Sequence, residues 1–245
     1  MKSTLDAAAF AAAVKTVSAI LKKSKVPQLA QVRVQFADDA CRVSATDTTA
    51  WLSAEIPADG DEFSLNVSEP FILPAAALKY LSLFKAYEGE LLVGEDYAAI
   101  MADGLTLTCH LVERSDELQI ETVLPKQYAE TYQVSRRQYL DALRYLTDCT
   151  NTKEQICVVF DGGHVIAYDR HGKYAAKIQL TEGSSEVRYA FNLAYMKQAM
   201  EHFKDVEYVQ INAISDFSPI ILRGGDVTAM VLPLRMRETK RAKAA

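Results

Sequence analysis

Apolar residues recur with the spacing of one helix face in four segments of the chain. In the first of these segments, Phe10, Val14 and Val17 follow one another at intervals of four and three residues, as on the buried side of a helix. Ser135 and Asn192 precede the third and fourth segments and carry side chains that commonly cap helix N-termini. The predicted helices are Asp6–Ser24, Ala75–Tyr87, Arg136–Leu146 and Leu193–Lys204.

Each predicted helix is followed by a pair of short strand-like runs around a tight polar turn. The turn residues are Asp38-Asp39, Asp103-Gly104, Asp161-Gly162-Gly163 and Gly224-Gly225. Asp-Gly and Gly-Gly favour hairpins because the central residues of such turns adopt a positive φ. The predicted hairpins are Val32–Phe36 with Cys41–Thr46, Ala98–Ala102 with Leu105–His110, Cys157–Phe160 with His164–Tyr168, and Pro219–Leu222 with Thr228–Leu232.

A helix followed by a hairpin therefore occurs four times, in units of about 60 residues. The residues before the second and fourth helices are also similar, with Phe71-Ile72-Leu73 in one case and Phe191-Asn192-Leu193 in the other. Chance recurrence of common residues is the alternative. The repeat predicts an α+β fold with two domains of two units each. The predicted domains are 1–122 and 133–245, with a connector over 123–132 and a short basic tail over Arg237–Ala245.

Composition narrows the class of protein. Of the 245 residues, 49% are hydrophobic and 24% are charged, which is typical of a folded globular protein. No run of about 18 apolar residues is present, so the sequence predicts no transmembrane helix. The four cysteines are far apart and form no CxxC pair, so we expect neither a zinc site nor a disulfide framework, and we expect a cytoplasmic location.

The net charge of −5 argues against a nucleic-acid partner when the chain is taken as a whole. The distribution of the charge changes this interpretation. The four predicted helices hold ten basic and three acidic residues, a net charge of +7, so the rest of the chain carries −12. The ten basic residues, which are candidates for facing DNA, are Lys15, Lys22, Lys23, Lys79, Lys85, Arg136, Arg137, Arg144, Lys197 and Lys204.

Several of these basic residues are spaced seven positions apart, which places both members of a pair on one helix face. The pairs are Lys15/Lys22, Arg137/Arg144 and Lys197/Lys204, with Lys79/Lys85 as a looser version. A single surface that carried all four helices would attract a polyanion through phosphate contacts, without reading bases. The alternative is that each helix simply has an ordinary solvated outer face.

Four short stretches, taken in order, carry a resemblance to a known family. Val43–Asp47 ends in Ala-Thr-Asp, Val123–Lys126 reads Val-Leu-Pro-Lys, and Met230–Met236 places a proline and an arginine among apolar residues. Phe191-Asn192 precedes a helix that contains a tyrosine. In this order and spacing the stretches resemble the sliding-clamp family, and most of all its bacterial DNA polymerase III beta subunits. The resemblance covers nearly the whole chain.

The resemblance implies two tandem clamp-type domains in a ring through which duplex DNA passes, with helices on one face lining the hole and sheets on the other face. Beta subunits have three such domains and this chain has room for two, so a ring of six domains would be a homotrimer. The implied function is that of a polymerase processivity factor. It would bind double-stranded DNA independently of sequence, would be placed on DNA by a clamp loader, and would need no cofactor or metal.

The resemblance also implies a hydrophobic pocket in which DNA polymerase and other clamp-binding proteins dock through short peptides. The pocket residues would be Thr46, Thr48, Thr49, Ala50, Trp51, Pro125, Val231, Leu232, Pro233, Leu234, Arg235 and Met236. Trp51, the only tryptophan, would be a binding hot spot or, alternatively, a half-buried strand residue. Pro233 cannot donate a backbone hydrogen bond, so strand pairing is expected to stop there and leave side chains accessible. Where the family has Gly-His-Arg-Leu after Ala-Thr-Asp, this chain has Thr48-Thr49-Ala50-Trp51.

The sequence offers no evident catalytic constellation, and we expect the protein not to be an enzyme. Its four histidines have no obvious carboxylate and nucleophile partners, and neither a phosphate-binding glycine loop nor a Gly-x-Ser-x-Gly motif is present. Two other functions stay open. One is a clamp-fold adaptor or decoy that binds partners without closing a ring on DNA, and the other is an enzyme of unknown class.

Overall fold

The computed structural model describes residues 2–23, 31–37, 40–60, 70–84, 88–102, 104–112, 120, 124–150, 157–161, 164–168, 174–179 and 188–235. The chain folds as two compact units. Unit 1 comprises Met1–Leu124 and Asp226–Ala229, and unit 2 comprises Pro125–Gly225 and Met230–Ala245.

In chain order, the described part of residues 1–124 contains β1 (Lys2–Leu5), α1 (Ala7–Ser18), β2 (Val32–Ala37), β3 (Ala40–Thr46), β4 (Ala50–Gly60), β5 (Phe71–Leu73), α2 (Ala75–Leu78), β6 (Gly89–Val93), β7 (Tyr97–Ala102) and β8 (Leu105–His110). Antiparallel pairing joins these strands in the order β8-β7-β6-β1-β4-β3-β2-β5. Strand β4 is long enough to pair with more than one strand of this part of the chain. It pairs with β3 from Trp51 to Pro57 and with β1 from Ala58 to Gly60.

The described part of residues 125–235 contains, in chain order, β9 (Glu130–Ser135), α3 (Arg136–Thr150), β10 (Cys157–Asp161), β11 (His164–Tyr168), β12 (Tyr174–Gln179), β13 (Tyr189–Asn192), α4 (Leu193–Glu201), β14 (Tyr208–Ala213), β15 (Ile220–Gly224) and β16 (Val227–Val231). Strands β12-β11-β10-β13 form one antiparallel sheet in unit 2. Strand β14 pairs with β9 on one side and with β15 on the other. Because β9 begins at Glu130, the end of the predicted connector belongs to a strand.

The order strand, helix and three strands occurs four times along the chain. Within unit 1, the first strand of each repeat pairs with the second strand of the other repeat, as β1 does with β6 and β5 with β2. Unit 2 has the same exchange, since β9 pairs with β14 and β13 with β10. The predicted α+β fold of duplicated helix-and-strand units is therefore confirmed. Each repeat has four strands where the sequence predicted two, because one strand before the helix and one of the three strands after it were not predicted.

The predicted hairpin strands are all present, as β2 and β3, β7 and β8, β10 and β11, and β15 and β16. The first three pairs are antiparallel neighbours. Gly104 and Gly225 have φ of 71° and 54°, the left-handed conformation that favoured glycine at these turns. The turn residues 38–39, 103 and 162–163 lie outside the described residues.

Three of the four predicted helices form over most of their length. The Asp6 carboxylate caps α1 by accepting from the Ala9 N–H at 2.8 Å, and Phe10, Val14 and Val17 are buried against the strands as predicted. The α-helix ends at Ser18 and continues as a 3-10 segment over Ala19–Lys23. In unit 2, α3 is longer than predicted and α4 ends earlier.

The second predicted helix is wrong in length. Only Ala75–Leu78 is α-helical, and a separate 3-10 turn follows over Leu81–Leu83. The Ser82 hydroxyl donates to the Lys79 carbonyl oxygen at 3.2 Å, so a side chain competes here with regular backbone bonding. Phe84 is already extended, with φ −79° and ψ 125°, so the predicted helix is interrupted there, and residues 85–87 lie outside the described residues.

Each unit buries one side of its helices against strands. In unit 1, α1 packs on β2, β3 and β4 and also contacts α2. In unit 2, α3 contacts β9, β11 and β12, α4 contacts β13, and the two helices contact each other. An aromatic cluster lies in the core of unit 2, where the rings of Phe160 and Tyr189 stack with centroids 5.0 Å apart. The exposed sides of the helices are therefore held on a rigid support.

Candidate functional site

Exposed basic side chains lie on or next to the helices of unit 1. Lys15 is exposed on α1. Lys79 is exposed directly after α2, where its Nζ lies 4.7 Å from the centroid of the Tyr80 ring. The side chains of Lys22 and Lys23, and the whole of Lys85, lie outside the described residues. Both of the described candidates in unit 1 are thus accessible to a polyanion.

Unit 2 presents a second group of accessible basic residues. Arg137 and Arg144 are exposed on α3, and the Arg144 Nη1 lies 3.1 Å from the Asp141 Oδ1. This ion pair is more than half exposed, so it contributes about 0.5 kcal/mol or less and leaves Arg144 free to exchange partners. Lys204 is exposed after the end of α4, and Lys197 is half-buried on that helix.

Arg136 differs from the other candidates because its guanidinium is engaged inside unit 2. Its Nε donates to the Met200 carbonyl oxygen at 3.2 Å and its Nη2 donates to the Glu201 carbonyl oxygen at 3.5 Å. Both carbonyls belong to the last turn of α4, where helical partners are missing and the helix dipole favours a positive charge. Arg136 thus caps α4, a role that sequence reasoning did not assign to it.

The seven-residue spacing of basic residues holds on one described helix, α3, which carries Arg137 and Arg144. Because α1 ends at Ser18, Lys22 falls in a 3-10 segment with three residues per turn, and Lys204 lies beyond the end of α4. The four α-helices given above hold five basic and three acidic residues, a net charge of +2 instead of the +7 of the predicted segments. Of the other described candidates, Lys79 and Lys204 follow the ends of their helices and Lys22 and Lys23 lie in the 3-10 segment after α1.

The turn between β3 and β4 is held by a dense set of hydrogen bonds. The buried Asp47 Oδ1 accepts from the Thr49 N–H at 3.0 Å, the Thr49 hydroxyl at 2.6 Å and the Ala50 N–H at 2.9 Å. The Thr46 hydroxyl donates to the Ala50 carbonyl oxygen at 2.9 Å and accepts from the Thr48 N–H at 3.1 Å. Thr48 has a φ of 75°, the one positive φ among the described residues other than glycine.

These contacts leave few of the predicted pocket residues of unit 1 available to a ligand. Thr46 and Thr49 are half-buried with their hydroxyls engaged, and Ala50 is buried. Trp51 is only 3% exposed and pairs with Thr46 across β3 and β4, so it is neither a surface anchor nor a half-buried residue in this structure. Thr48 is the exposed member of the group.

The predicted pocket residues of unit 2 follow the end of β16. Val231 is buried, Leu232 is 39% exposed, Pro233 and Leu234 are half-buried, and Arg235 is exposed. Pro125, at the start of the unit, is half-buried, and Met236 lies outside the described residues.

Strand pairing continues past Pro233, which corrects the expectation that it would stop there. Pro233 forms an antiparallel bridge with Phe191, and the Leu234 N–H donates to the Ala190 carbonyl oxygen at 2.8 Å. In antiparallel pairing every second residue makes no backbone hydrogen bond to the residue opposite. Pro233 occupies such a position, so its missing N–H is not needed there.

Comparisons with known proteins identify the fold. No family model matches the chain, and no curated protein matches its sequence. Among solved structures, the DNA polymerase III subunit beta from Pseudomonas aeruginosa matches with a TM-score of 0.82 at 17% identity, over 96% of this chain and 66% of that one. The Helicobacter pylori beta clamp bound to a DNA ligase peptide matches with a TM-score of 0.76 at 15% identity, with the same coverage of 96% and 66%. The chain has the beta-clamp fold.

The beta-clamp fold of this chain extends over a shorter length than that of its structural neighbours. A third match, the Pseudomonas aeruginosa sliding clamp bound to griselimycin, has a TM-score of 0.81 at 16% identity and again covers 66% of the neighbour. The chain therefore spans slightly less than two thirds of these clamps. At 15–17% identity the comparison shows that the folds are alike. The roles of the site residues depend on the geometry of this chain.

Asp47 is a residue of the candidate site that the sequence analysis did not include. It belongs to the Ala-Thr-Asp motif that carried the resemblance, yet it was not among the expected pocket residues. An aspartate directly followed by two threonines is a signal for a side-chain-capped turn, because its carboxylate can accept from the next backbone N–H groups. Its three hydrogen bonds fix the positions of the pocket candidates on either side of it.

Two observations concern the metal-ligating and nucleophilic side chains of the described residues. Among them, no group of three or more His, Cys, Asp or Glu side chains could hold a metal ion. Cys41 is buried, and its burial raises the pKa of the thiol to about 12, so it is not a reactive thiolate at neutral pH. Among the helices described, none is both long and apolar enough to cross a membrane.

Proposed function

We propose that this chain is a DNA sliding clamp, a processivity factor that encircles duplex DNA and docks polymerases or other DNA-processing enzymes. The observation that carries the proposal is the fold, since the matching structures are bacterial beta clamps. In this proposal the predicted domains, 1–122 and 133–245, are two clamp domains. Three copies of the chain, helped by a clamp loader, close a ring of six domains. The protein acts by topology and docking, not as an enzyme.

The exposed basic residues support the DNA-binding part of the proposal. Lys15, Arg137, Arg144 and Lys204 are exposed on or just beyond helices, while the protein as a whole carries a net charge of −5. Positive groups concentrated on one kind of element bind phosphates without reading bases. We therefore assign duplex DNA as the partner of the helices, and we expect no preference for base sequence.

Partner docking is the second part of the proposal. The Helicobacter pylori neighbour was solved with a DNA ligase peptide bound, which makes a short peptide the natural probe for this chain. Leu232, 39% exposed after the end of β16, is an accessible apolar anchor in unit 2. Polymerases and other clamp-binding enzymes would reach this surface through extended peptides with large apolar side chains.

A matched pair of charge variants tests the DNA assignment. One variant carries Lys15→Ala, Arg137→Ala, Arg144→Ala and Lys204→Ala. The control loses the same number of positive charges from strands and loops through Arg42→Ala, Lys126→Ala, Arg188→Ala and Arg223→Ala. Binding to a fluorescent duplex is measured against salt concentration. Each lost phosphate contact should lower the log–log salt slope by about 0.9 in the first variant, and the control should keep the wild-type slope.

Ring closure is tested with the same protein on circular DNA. The chain is incubated with nicked plasmid and a clamp loader, passed over a sizing column in high salt, and assayed again after the plasmid is cut once. A closed ring stays on the circle and slides off the linear form. Equal loss from both forms, together with peptide binding that depends on Leu232, would instead identify an adaptor that docks partners without encircling DNA.

A further inference from the structure

The core of unit 2 contains two tyrosine hydroxyls that need hydrogen-bond partners. Tyr139 on α3 and Tyr189 on β13 are both completely buried. Neither hydroxyl has a hydrogen-bond partner among the described residues. A buried hydroxyl without a partner destabilises the folded state, and almost all buried polar groups in native proteins are bonded to protein groups or to ordered water. The surroundings of these two hydroxyls therefore indicate what satisfies them.

Both tyrosines belong to the aromatic core of unit 2. Phe160 on β10 lies opposite Tyr189 in the sheet register, and the two rings stack with centroids 5.0 Å apart. The ring of Tyr132 on β9 also contacts Phe160, at a centroid distance of 5.1 Å. Strand β9 leads directly into α3, and α3 packs against β9, so the buried Tyr139 side chain enters the same core from the helix.

The same core contains a half-buried carboxylate, that of Glu130, which accepts from the Tyr132 hydroxyl. Burial above all, and then the negative charges that Tyr139 and Glu130 carry when ionised, raise the pKa of Tyr189 well above its usual value. Interactions between charges weaken with distance, so these three polar groups lie near one another. Burial also raises the pKa of Tyr139. Both phenols are therefore neutral at pH 7, and each offers one O–H donor.

We infer that the core of unit 2 holds a buried binding site for one water molecule, which the hydroxyls of Tyr139 and Tyr189 share. A water oxygen accepts one hydrogen bond from each hydroxyl, and its own protons are available to acceptors such as the Glu130 carboxylate. Two neutral donors beside a carboxylate favour a neutral molecule that both accepts and donates over an anion. Buried waters commonly make about three such bonds and are costly to remove. The water joins helix α3 to strand β13, and this role does not depend on DNA binding or ring closure.

Thermal denaturation of the full chain tests the shared water through Tyr139→Phe, Tyr189→Phe and the double variant. Each single variant removes one hydrogen bond to the water and should lower the melting temperature by about 2–4 °C. The double variant should lower it by less than the sum of the two, because both hydroxyls bind the same molecule. Tyr208→Phe is the matched control, since Tyr208 is 50% exposed on β14 and its variant should keep the wild-type melting temperature.

Crystal structures of the wild type and the double variant identify the bound molecule. The wild type should show one compact density peak within about 3.2 Å of both hydroxyl oxygens, and the double variant should lack it. A melting temperature that stays the same or rises when either hydroxyl is removed overturns the inference, because that is the behaviour of a buried hydroxyl without a partner. Strictly additive losses, an elongated density at the site, or no density there in the wild type also overturn it.

Discussion

At the scale of single residues, His202 makes the stability of unit 2 sensitive to pH. It is half-buried directly after α4, and its Nε2 is buried without a hydrogen-bond partner. Burial, and then the nearby Lys204, lower the pKa of His202 to about 4. These surroundings keep the imidazole neutral in the folded protein.

This arrangement predicts a loss of stability in mild acid. An unfolded histidine titrates near 6.5, so the unfolded state binds the proton more readily and folding is disfavoured as the pH falls from about 6.5 towards 4. We expect the protein to be about 1 kcal/mol less stable at pH 5 than at pH 7 from this residue, allowing for partial solvent screening. Urea denaturation at the two pH values measures the difference.

The variant His202→Gln removes the titrating group and should flatten the pH dependence. His110→Gln is the matched control, because the His110 side chain is 89% exposed and lies 4.0 Å from Asp96 at the surface. The control should keep the wild-type dependence. If wild type and His202→Gln lose stability equally between pH 7 and pH 5, the acid sensitivity comes from other groups.

The candidate docking residues show what sequence could and could not predict at this scale. The predicted strand Cys41–Thr46 ends at the correct residue, and the side-chain-capped turn that follows it has a signal in the sequence, an aspartate followed by threonines. The sequence could not predict that Trp51 is buried and Thr48 exposed. Burial of one strand residue depends on what packs over it, and a large aromatic is equally compatible with a core or a binding surface.

At the scale of elements, the adjacent residues Arg136 and Arg137 on α3 are predicted to have different roles, one in the stability of unit 2 and the other in DNA binding. Arg136 caps α4, whereas Arg137 is exposed. Arg136→Ala should lower the free energy of unfolding by about 1 kcal/mol, since two helix-end carbonyls lose a charged donor. Arg137→Ala should change it by less than about 0.5 kcal/mol and should weaken duplex binding.

The pair of variants is measured by thermal denaturation and by duplex titration on the same samples. Each variant is the control for the other, because both remove one arginine from the first turn of the same helix. Equal melting temperatures for the two variants would contradict the capping role of Arg136. Wild-type DNA affinity in Arg137→Ala would place the DNA contact elsewhere.

The backbone pairing of the segment after β16 with β13 gives a second prediction at this scale. The Leu234 N–H makes a backbone bond to Ala190, whereas Pro233 lies at a position that needs no donor. Leu234→Pro should therefore destabilise unit 2 by about 1–2 kcal/mol more than Leu234→Ala, which loses the same side chain but keeps the N–H. Pro233→Ala should have little effect. Equal melting temperatures for Leu234→Pro and Leu234→Ala would show that this pairing does not stabilise the fold.

The sequence predicted the elements that are marked by a turn motif or by a periodic apolar pattern. It did not predict the elements that lack both. The hairpins have glycine turns, and α1, α3 and α4 have apolar stripes. The strands before the helices are three to six residues long, and β5 and β13 are buried on both faces, so they show no alternation of apolar and polar residues. Their pairing with the other repeat is a tertiary property.

At the scale of the whole molecule, the fold reuses one supersecondary unit, and several of the described strands pair on one side only. Among the described strands, β8 pairs with β7 alone and β12 pairs with β11 alone. Edge strands offer unpaired backbone groups that can add a strand from another chain. One such edge belongs to unit 1 and the other to unit 2, so a contact between β8 of one copy and β12 of the next would be head-to-tail. Heterologous contacts of this kind close into rings when the rotation returns on itself.

The last prediction concerns this assembly. Two clamp-like units per chain require three chains for a ring of six, so light scattering should give a mass three times that of the 27.2 kDa chain. Leu105, 45% exposed on β8, tests the contact directly, because a charge there disfavours strand addition. Leu105→Lys should dissociate the trimer. Leu83→Lys, at a position that is 58% exposed and lies outside β8, should leave it intact.

The two lysine variants have the same change in charge and in side-chain volume, so a difference in mass between them can only reflect the position of the residue. A wild-type protein that stays monomeric at tens of micromolar would exclude the trimer, and a dimer would require an open crescent of four units instead of a closed ring. If Leu105→Lys remains trimeric and still stays on nicked circular DNA, the ring closes through another edge. Because duplex retention needs closure, Leu105→Lys should lose retention on the circle while Leu232→Ala keeps it, which separates assembly from docking.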